Sequence, residues 1–191
     1  MKKLSLIILT YNSEKDIYDC LSSVYQYNDI GDALEIIVVD NNSEHYARMQ
    51  DKLSTLYPKV NIISNSTNGG YGQGNNIGIQ SASAPIVSIM NPDVRLVMPI
   101  FQRILNIFED QEIVMCGGKQ YKNATTPAIS FCCDYHRNAL LQSIGISYYR
   151  KRDIYKQQSM WLSGAFFFIR KKEFEQIGLF DENIFMYGEE Y

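Results

Sequence analysis

The sequence lacks the features that accompany a structural metal cluster. Its four cysteines include no CxxC pair, and only two histidines, His45 and His136, could complete a set of ligands. The cysteines are Cys20, Cys116, Cys132 and Cys133. We therefore exclude structural zinc and expect all four cysteines to be small, buried hydrophobic residues with reduced thiols.

A long apolar run is also missing. The N-terminal run from Leu4 to Leu9 is too short for the core of a signal peptide. No stretch approaches the roughly 20 apolar residues that a membrane-spanning helix needs. These absences predict a cytoplasmic protein.

The chain has no excess of positive charge. Its 18 lysines and arginines are outnumbered by 21 aspartates and glutamates, and no basic stripe is present, which excludes nucleic acid as a partner. Apolar side chains, in contrast, are plentiful. Because 46% of the 191 residues are hydrophobic, the chain can bury one sizeable core and is expected to form a single globular domain.

Strand and helix patterns alternate along the first half of the chain. The apolar run Leu4 to Leu9 is followed by apolar residues at helical spacing from Ile17 to Tyr25. Three further strands are predicted at residues 35–39, 60–64 and 86–90, with helices over Met49 to Leu56 and Gln73 to Ala82 between them. This alternation predicts an α/β fold with a mostly parallel, Rossmann-like sheet, helices on both faces, and ligands at the carboxyl ends of the strands.

The second half is less regular. A helix over Ile100 to Phe108 and a strand over Ile113 to Cys116 are predicted, whereas residues 117–158 carry no readable pattern. The apolar run from Trp161 to Ile169 predicts one more strand, and a short helix that stops at Gly178 follows it. The chain then ends without a closing element, so we expect a domain that is truncated at its C-terminus.

Polar residues follow the first two strands. Thr10, Tyr11, Asn12 and Glu14 could present a hydroxyl, an aromatic face and an amide to a ligand. Asp40, which precedes Asn41, Asn42 and Ser43, could accept hydrogen bonds from the N–H of a base or from a ribose hydroxyl. For both clusters the simpler interpretation is a helix cap, and the sequence leaves that alternative open.

A glycine-rich segment follows the third strand. Residues 68–76 contain Gly69, Gly70, Gly72 and Gly74, and the segment is interpreted as a loop whose backbone amides approach a diphosphate or a base. Asn75 and Asn76 at its end can both donate and accept hydrogen bonds. Because the segment matches neither GxGxxG nor a Walker motif, NAD enzymes and P-loop NTPases are excluded.

Two carboxylate-bearing motifs complete the candidate site. After the fourth strand, Asn91-Pro92-Asp93 can share Mg²⁺ or Mn²⁺ with the phosphates of a nucleotide, unless it is only a turn that opens the next helix. Near the chain end, Glu189 or Glu190 could serve as a general base, unless both are simply solvated charges.

Taken together and in order, these motifs resemble the family 2 inverting glycosyltransferases of the GT-A fold. The resemblance rests on residues 10–12, 39–43, 68–76, 91–93, 164–167 and 185–190. It implies that Thr10, Tyr11, Asn12, Glu14, Asp40, Asn42, Gly70, Asn75, Asn76, Asn91 and Gly164 surround the nucleotide-sugar donor. It also implies that Asn91 and Asp93 hold the metal ion, and that Glu190 is the base with Glu189 beside it.

Two departures from the family pattern stand out. Asn91 replaces the first aspartate of the DxD metal motif, and Glu190 replaces the aspartate that usually follows the first glutamate. The first departure resembles a rhamnosyltransferase-like subset. That resemblance implies dTDP-rhamnose, or otherwise a UDP-sugar, as donor and a cell-surface glycan or lipid-linked saccharide as acceptor.

The resemblance also implies a division of the single domain. Residues 1–93 would form the nucleotide-binding half, and residues 94–191 an acceptor-side half that is incomplete at the C-terminus. A missing C-terminal part could add peripheral contact with the inner face of a bacterial membrane. The oligomeric state is left open.

Two other functions remain to be weighed. A non-catalytic module that binds sugar nucleotides is favoured by the truncation and by a metal motif with a single carboxylate. A nucleotidyltransferase would need a glycine-rich, basic loop after the first strand, and residues 10–14 contain neither glycine nor a basic residue.

Overall fold

A computed structural model describes residues 1–123, 126, 131–133, 148–149, 152 and 160–185. The five helices named here are α1 (Glu14–Gln26), α2 (Tyr46–Leu56), α3 (Gly70–Ser81), α4 (Phe101–Ile107) and α5 (Lys171–Gln176). The strands are β1 (Leu4–Thr10), β2 (Leu34–Asp40), β3 (Asn61–Ser64), β4 (Ile86–Met90), β5 (Met115–Gly117), β6 (Phe131–Cys133), β7 (Met160–Leu162) and β8 (Phe166–Arg170).

Six of the strands form one sheet in the order β3-β2-β1-β4-β8-β5. Strands β1 to β4 pair in parallel, whereas β8 runs antiparallel to both β4 and β5. Thr10 and Asp40 are register partners at the carboxyl ends of β1 and β2. The predicted α/β fold with a mostly parallel sheet is therefore confirmed.

The core has two layers because alternate side chains of each strand point to opposite faces of the sheet. On one face Leu6 and Ile8 of β1 pack with Ile17 and Leu21 of α1, together with residues of α2 and α4. On the other face Ile7 packs with residues of α3 and α5. Helices thus cover both faces, as the sequence pattern predicts.

The glycine-rich segment is a helix, not the predicted loop. Helix α3 begins at Gly70, three residues before the predicted start at Gln73. A Cβ atom at Gly74 would lie 2.4 Å from Leu9 Cδ1, and one at Gly78 would lie 2.4 Å from Ile7 Cγ2. These two glycines, four residues apart on one helix face, let the backbone of α3 lie directly on the sheet.

The apolar run from Trp161 to Ile169 is also more divided than predicted. It forms β7 and β8, separated by a turn at residues 163–165. Strand β7 pairs with β6 in a second, two-stranded sheet, while β8 joins the main sheet. The predicted strand from Ile113 is the shorter β5, which begins at Met115.

Cys20 is buried, as predicted, whereas Cys116 is only half-buried. Burial raises the pKa of the Cys20 thiol to about 12 and that of Cys116 to about 11, so both thiols are protonated near neutral pH. Both are free. The side chains of Cys132 and Cys133 lie outside the described residues. Within the described ranges, no helix combines the length and apolarity needed to cross a membrane.

Candidate functional site

Thr10 and Asp40 end neighbouring strands and point to the face of the sheet that α1 covers. Thr10 is 1% exposed and Asp40 is fully buried. One carboxylate oxygen of Asp40, Oδ2, accepts a hydrogen bond from the backbone N–H of Ser43 at 2.9 Å. Within the described part of the chain, Asp40 Oδ1 and Thr10 Oγ1 have no hydrogen-bond partner. Such buried polar atoms are costly unless a ligand or water satisfies them.

Glu14 and Asn75 share this property. Glu14 begins α1 just after β1, and its buried Oε1 has no partner among the described residues. Asn75, on the opposite face, is fully buried; its amide donates to Tyr71 O at 3.0 Å, whereas its Oδ1 lacks a donor in the described ranges. With Thr10 and Asp40, the sequence-predicted residues thus offer three acceptors and one hydroxyl. This set suits a ligand rich in N–H and O–H donors, such as a nucleoside, and disfavours a bare phosphate.

The loops after β1 and β2 hold each other in place. The N–H of Asn12 donates to Ser43 Oγ at 2.8 Å, and Asn12 Oδ1 accepts from the N–H of Glu44 at 3.0 Å. Asn12 and Asn42 both adopt left-handed backbone conformations, with φ of 50° and 68°, which asparagine tolerates better than most residues. Neither α1 nor α2 has a side-chain cap, so the helix-cap interpretation of Asn12 and Asp40 is wrong. The ring of Tyr11 is 49% exposed beside these loops.

A network of amides that the sequence analysis missed fixes the start of α3. Asn41 Nδ2 donates to Asn68 Oδ1 at 2.8 Å and to Gly70 O at 3.0 Å. Asn65 Nδ2 bridges Asn41 Oδ1 and Gln73 Oε1 at 2.8 and 2.7 Å. These contacts anchor α3 to the carboxyl end of β2. The clustering of asparagines after β2 and β3 was the available signal.

Two residues predicted to surround the donor have structural roles here. Gly70 has a φ of 85°, and a Cβ atom there would lie 2.1 Å from the carbonyl oxygen of Phe185, so this glycine permits a close backbone approach. Asn76 is 3% exposed and donates to Phe180 O at 3.0 Å and to Glu182 Oε1 at 2.9 Å, while its own oxygen accepts from the N–H of Phe180. Both residues hold the segment 180–185 against α3.

The Asn91-Pro92-Asp93 turn lies at the carboxyl end of β4. The side chain of Arg95, a residue that the sequence analysis missed, donates to Pro92 O at 2.7 Å and to Val94 O at 2.9 Å, and thereby fixes the turn. Its guanidinium also lies 3.4 Å from Asp16 Oδ1. Asp93 is exposed at the surface.

The donor set of this turn fits a hard divalent cation. The amide oxygen of Asn91 and the carboxylate of Asp93 are oxygen ligands of the kind that Mg²⁺ and Mn²⁺ prefer. Among the described residues, no three His, Cys, Asp or Glu side chains converge to hold a metal ion by themselves. A metal ion at this turn would need further ligands, which water and the phosphates of a bound nucleotide can supply.

The turn at residues 163–165 lies beside this turn and beside α3. Ala165 O accepts from the N–H of Asn91 at 2.9 Å, and Gly164 O accepts from the hydroxyl of Tyr71 at 2.7 Å. Gly164, predicted to face donor and acceptor, is thus brought next to Asn91. Glu189 and Glu190 lie outside the described residues.

Two curated relatives come from Haloferax volcanii. The low-salt glycan biosynthesis hexosyltransferase Agl10 is 26% identical over 98% of this chain and 59% of its own length. The glycosyltransferase AglE is 24% identical over 97% of this chain and 58% of its own length. The chain therefore spans less than two thirds of these relatives.

Solved structures share the fold. The mannosyltransferase PcManGT from Pyrobaculum calidifontis, in complex with GDP-Man and Mn²⁺, superposes with a TM-score of 0.65 at 16% identity, over 95% of this chain and 48% of that one. S. aureus TarS 1-349 in complex with UDP superposes with a TM-score of 0.70 at 17% identity, over 98% of this chain and 52% of that one. The fold is therefore GT-A. The model of glycosyl transferase family 2 matches residues 5–178, and the chain belongs to that family.

Proposed function

We propose that the chain binds a nucleotide-sugar donor and transfers its hexosyl unit, with inversion, to a hydroxyl of a glycan or lipid-linked saccharide. The observation that carries this proposal is a group of buried side-chain oxygens, on Thr10, Glu14, Asp40 and Asn75, that have no hydrogen-bond partner among the described residues. They lie at or just after strand ends and on α3, where a sheet of this type binds ligands. We refer to these four residues together as the acceptor-rich recess; Thr10, Glu14 and Asp40 lie at or just after the ends of β1 and β2, whereas Asn75 lies on α3 at the other face of the sheet.

In this proposal the recess holds the nucleoside. Asp40 Oδ1 and Glu14 Oε1 accept hydrogen bonds from a base N–H and a ribose hydroxyl, because neither oxygen has a partner among the described residues. Thr10 Oγ1 can donate to a base carbonyl or accept from a hydroxyl. The exposed ring of Tyr11 is available to stack on the base.

The diphosphate belongs at the Asn91-Asp93 turn. Asn91 and Asp93 would hold Mg²⁺ or Mn²⁺, which when bound supplies positive charge to the departing diphosphate. Arg95 keeps the turn in place through its contacts with Pro92 O and Val94 O. The one-carboxylate donor set implies that the metal ion binds weakly until the nucleotide is present.

The remaining roles come from the sequence resemblance. Glu190 deprotonates the acceptor hydroxyl, with Glu189 beside it, and the oxygen then attacks the anomeric carbon from the face opposite the diphosphate. We assign residues 1–93 to nucleotide binding and residues 94–191 to the acceptor side. Both halves share one sheet, because β4 pairs with β8.

The donor is tested with a panel of dTDP-rhamnose, UDP-glucose, UDP-N-acetylglucosamine and GDP-mannose in Mn²⁺, with release of the nucleoside diphosphate as the readout. The sequence motifs favour dTDP-rhamnose, whereas the structures with the same fold were solved with GDP-Man in PcManGT and with UDP in TarS. Turnover of any one donor, with an inverted product by NMR, supports the proposal. Tight, metal-independent binding of nucleotides without turnover of any donor would instead favour a non-catalytic binding module.

A further inference from the structure

The side chain of Tyr71 connects α3 with the turn at residues 163–165 and with Phe180. Tyr71 lies in the first turn of α3 and is half-buried. Its hydroxyl donates to Gly164 O at 2.7 Å, and its ring packs edge-on against Phe180 with 5.5 Å between the ring centroids. One residue therefore contacts both segments that lie on the acceptor side of the sheet.

The backbone of Tyr71 connects the same residue to the acceptor-rich recess. Its carbonyl accepts from Asn75 Nδ2 at 3.0 Å, and Asn75 is the recess residue on α3. Its N–H donates to Phe185 O at 2.9 Å, at the end of the segment held by Asn76. Tyr71 thus lies between the nucleotide side and the acceptor side of the site.

Hydrogen bonds to two successive carbonyl oxygens fix the turn at residues 163–165. Gly164 O is held by the Tyr71 hydroxyl, and Ala165 O is held by the N–H of Asn91 at 2.9 Å. Gly164 has no side chain that could anchor the turn by packing. Without the Tyr71 hydroxyl, only the Asn91 contact would connect these two carbonyls to the other described residues of the site.

We propose that Tyr71 is a positioning residue for glycosyl transfer. Its hydroxyl holds the Gly164 turn at a fixed place relative to Asn91, so that the donor sugar and the acceptor hydroxyl meet in a reactive geometry. This inference rests on the proposed function. The hydroxyl is the relevant group, because phenylalanine would keep the ring contact with Phe180 and all the backbone contacts.

The test compares Tyr71→Phe with Tyr57→Phe. Tyr57 is a matched control, since it is also half-buried and its hydroxyl also points to a backbone carbonyl, Tyr18 O at 3.4 Å, on the other face of the sheet. We expect Tyr71→Phe to lower kcat at least tenfold, because small displacements of reacting groups have effects of about this size or larger. The affinity for the nucleoside diphosphate should change less than twofold. Tyr57→Phe should change neither.

Hydrogen-deuterium exchange gives a second readout that needs no turnover. Peptides that cover residues 160–166 should exchange faster in Tyr71→Phe than in the wild type, and at the wild-type rate in Tyr57→Phe. Wild-type kcat and wild-type exchange in Tyr71→Phe would overturn the proposal. Nucleotide affinity that falls as much as kcat would also overturn it, because the role would then be general stability. If the wild type transfers no sugar, the proposed function fails, and the exchange comparison alone decides whether Tyr71 holds the turn.

Discussion

Thr10 and Asp40 are register partners on β1 and β2, and a side-chain oxygen of each is buried without a partner in the described part of the chain. Desolvating such groups without compensation disfavours folding. Their position at the carboxyl edge of the sheet means that a bound nucleoside can supply the missing donors. The recess therefore lowers the stability of the unbound protein and raises its affinity for a nucleoside, a balance that binding sites commonly show.

The packing of α3 on the sheet depends on Gly78. Replacement of Gly78 by alanine would place a Cβ atom 2.4 Å from Ile7 Cγ2 and 3.2 Å from Val39 Cγ2, both in the core. We expect Gly78→Ala to lower the free energy of unfolding by about 1–3 kcal/mol, although alanine favours helix formation over glycine by about 1 kcal/mol. Urea denaturation measures the change.

The control for this substitution is Gln80→Ala on the exposed side of the same helix. It should leave the free energy of unfolding within about 0.5 kcal/mol of the wild-type value. Stabilisation by Gly78→Ala would show that α3 lies farther from the sheet than described.

Hydrogen bonds to the Glu35 carboxylate, near the amino end of β2, should make the free energy of unfolding depend on pH. Burial alone raises the pKa of Glu35, but hydrogen bonds from the Ser5 hydroxyl and from the N–H and hydroxyl of Ser83 outweigh it and hold the pKa below its ordinary value. Because the folded pKa is the lower one, Glu35 stabilises the fold above the unfolded pKa of about 4.3. That contribution is lost as the pH falls through the folded pKa.

We expect Glu35→Gln to cost about 1–2 kcal/mol at pH 7, with a difference from the wild type that shrinks below pH of about 4. Urea denaturation at a series of pH values measures this. Glu112→Gln, at an exposed position, serves as the control and should follow the wild type at every pH. A Glu35→Gln deficit that stays constant down to the lowest pH would contradict the assignment.

The metal proposal concerns Asp93. If this exposed carboxylate shares a divalent cation with the diphosphate, Mn²⁺ should tighten the binding of nucleoside diphosphate at least tenfold, about 1.4 kcal/mol, over binding in EDTA. Asp93→Ala should abolish the difference between the two conditions. Asp51→Ala, at an exposed position on α2, should preserve it. Equal effects of Mn²⁺ on the wild type and Asp93→Ala would move the metal ion elsewhere.

The fold could be predicted from the sequence because its strands are continuous apolar runs separated by helical spacing. Helix α3 could not, since glycines have low helix propensity, and its stability comes from contacts with Leu9 and Ile7 on distant strands. The boundary between β7 and β8 was hidden for a similar reason: the run 161–169 is apolar throughout, and only the pairing partners of each strand divide it.

The candidate site was predictable where it depends on topology alone. The strand ends that carry Thr10, Asp40 and Asn91 meet at one edge of a parallel sheet, whatever the details of packing. The roles of Arg95 and Tyr71 depend on which loops become neighbours. Arg95 contacts the neighbouring turn at residues 92–94. Tyr71 contacts Gly164, which lies 93 residues away in the sequence, and no local pattern indicates that contact.

The most direct test of the acceptor-rich recess is a calorimetric titration of dTDP and UDP, in Mn²⁺, into the wild type, Asp40→Asn and Asp51→Asn. The account predicts binding to the wild type and to Asp51→Asn. It predicts affinity at least tenfold weaker in Asp40→Asn, whose melting temperature should not fall by more than about 2 °C, because the replaced carboxyl group is buried and only partly hydrogen-bonded among the described residues. Wild-type affinity in Asp40→Asn, or no binding of either nucleotide to the wild type, would contradict the assignment of the recess as the nucleoside site.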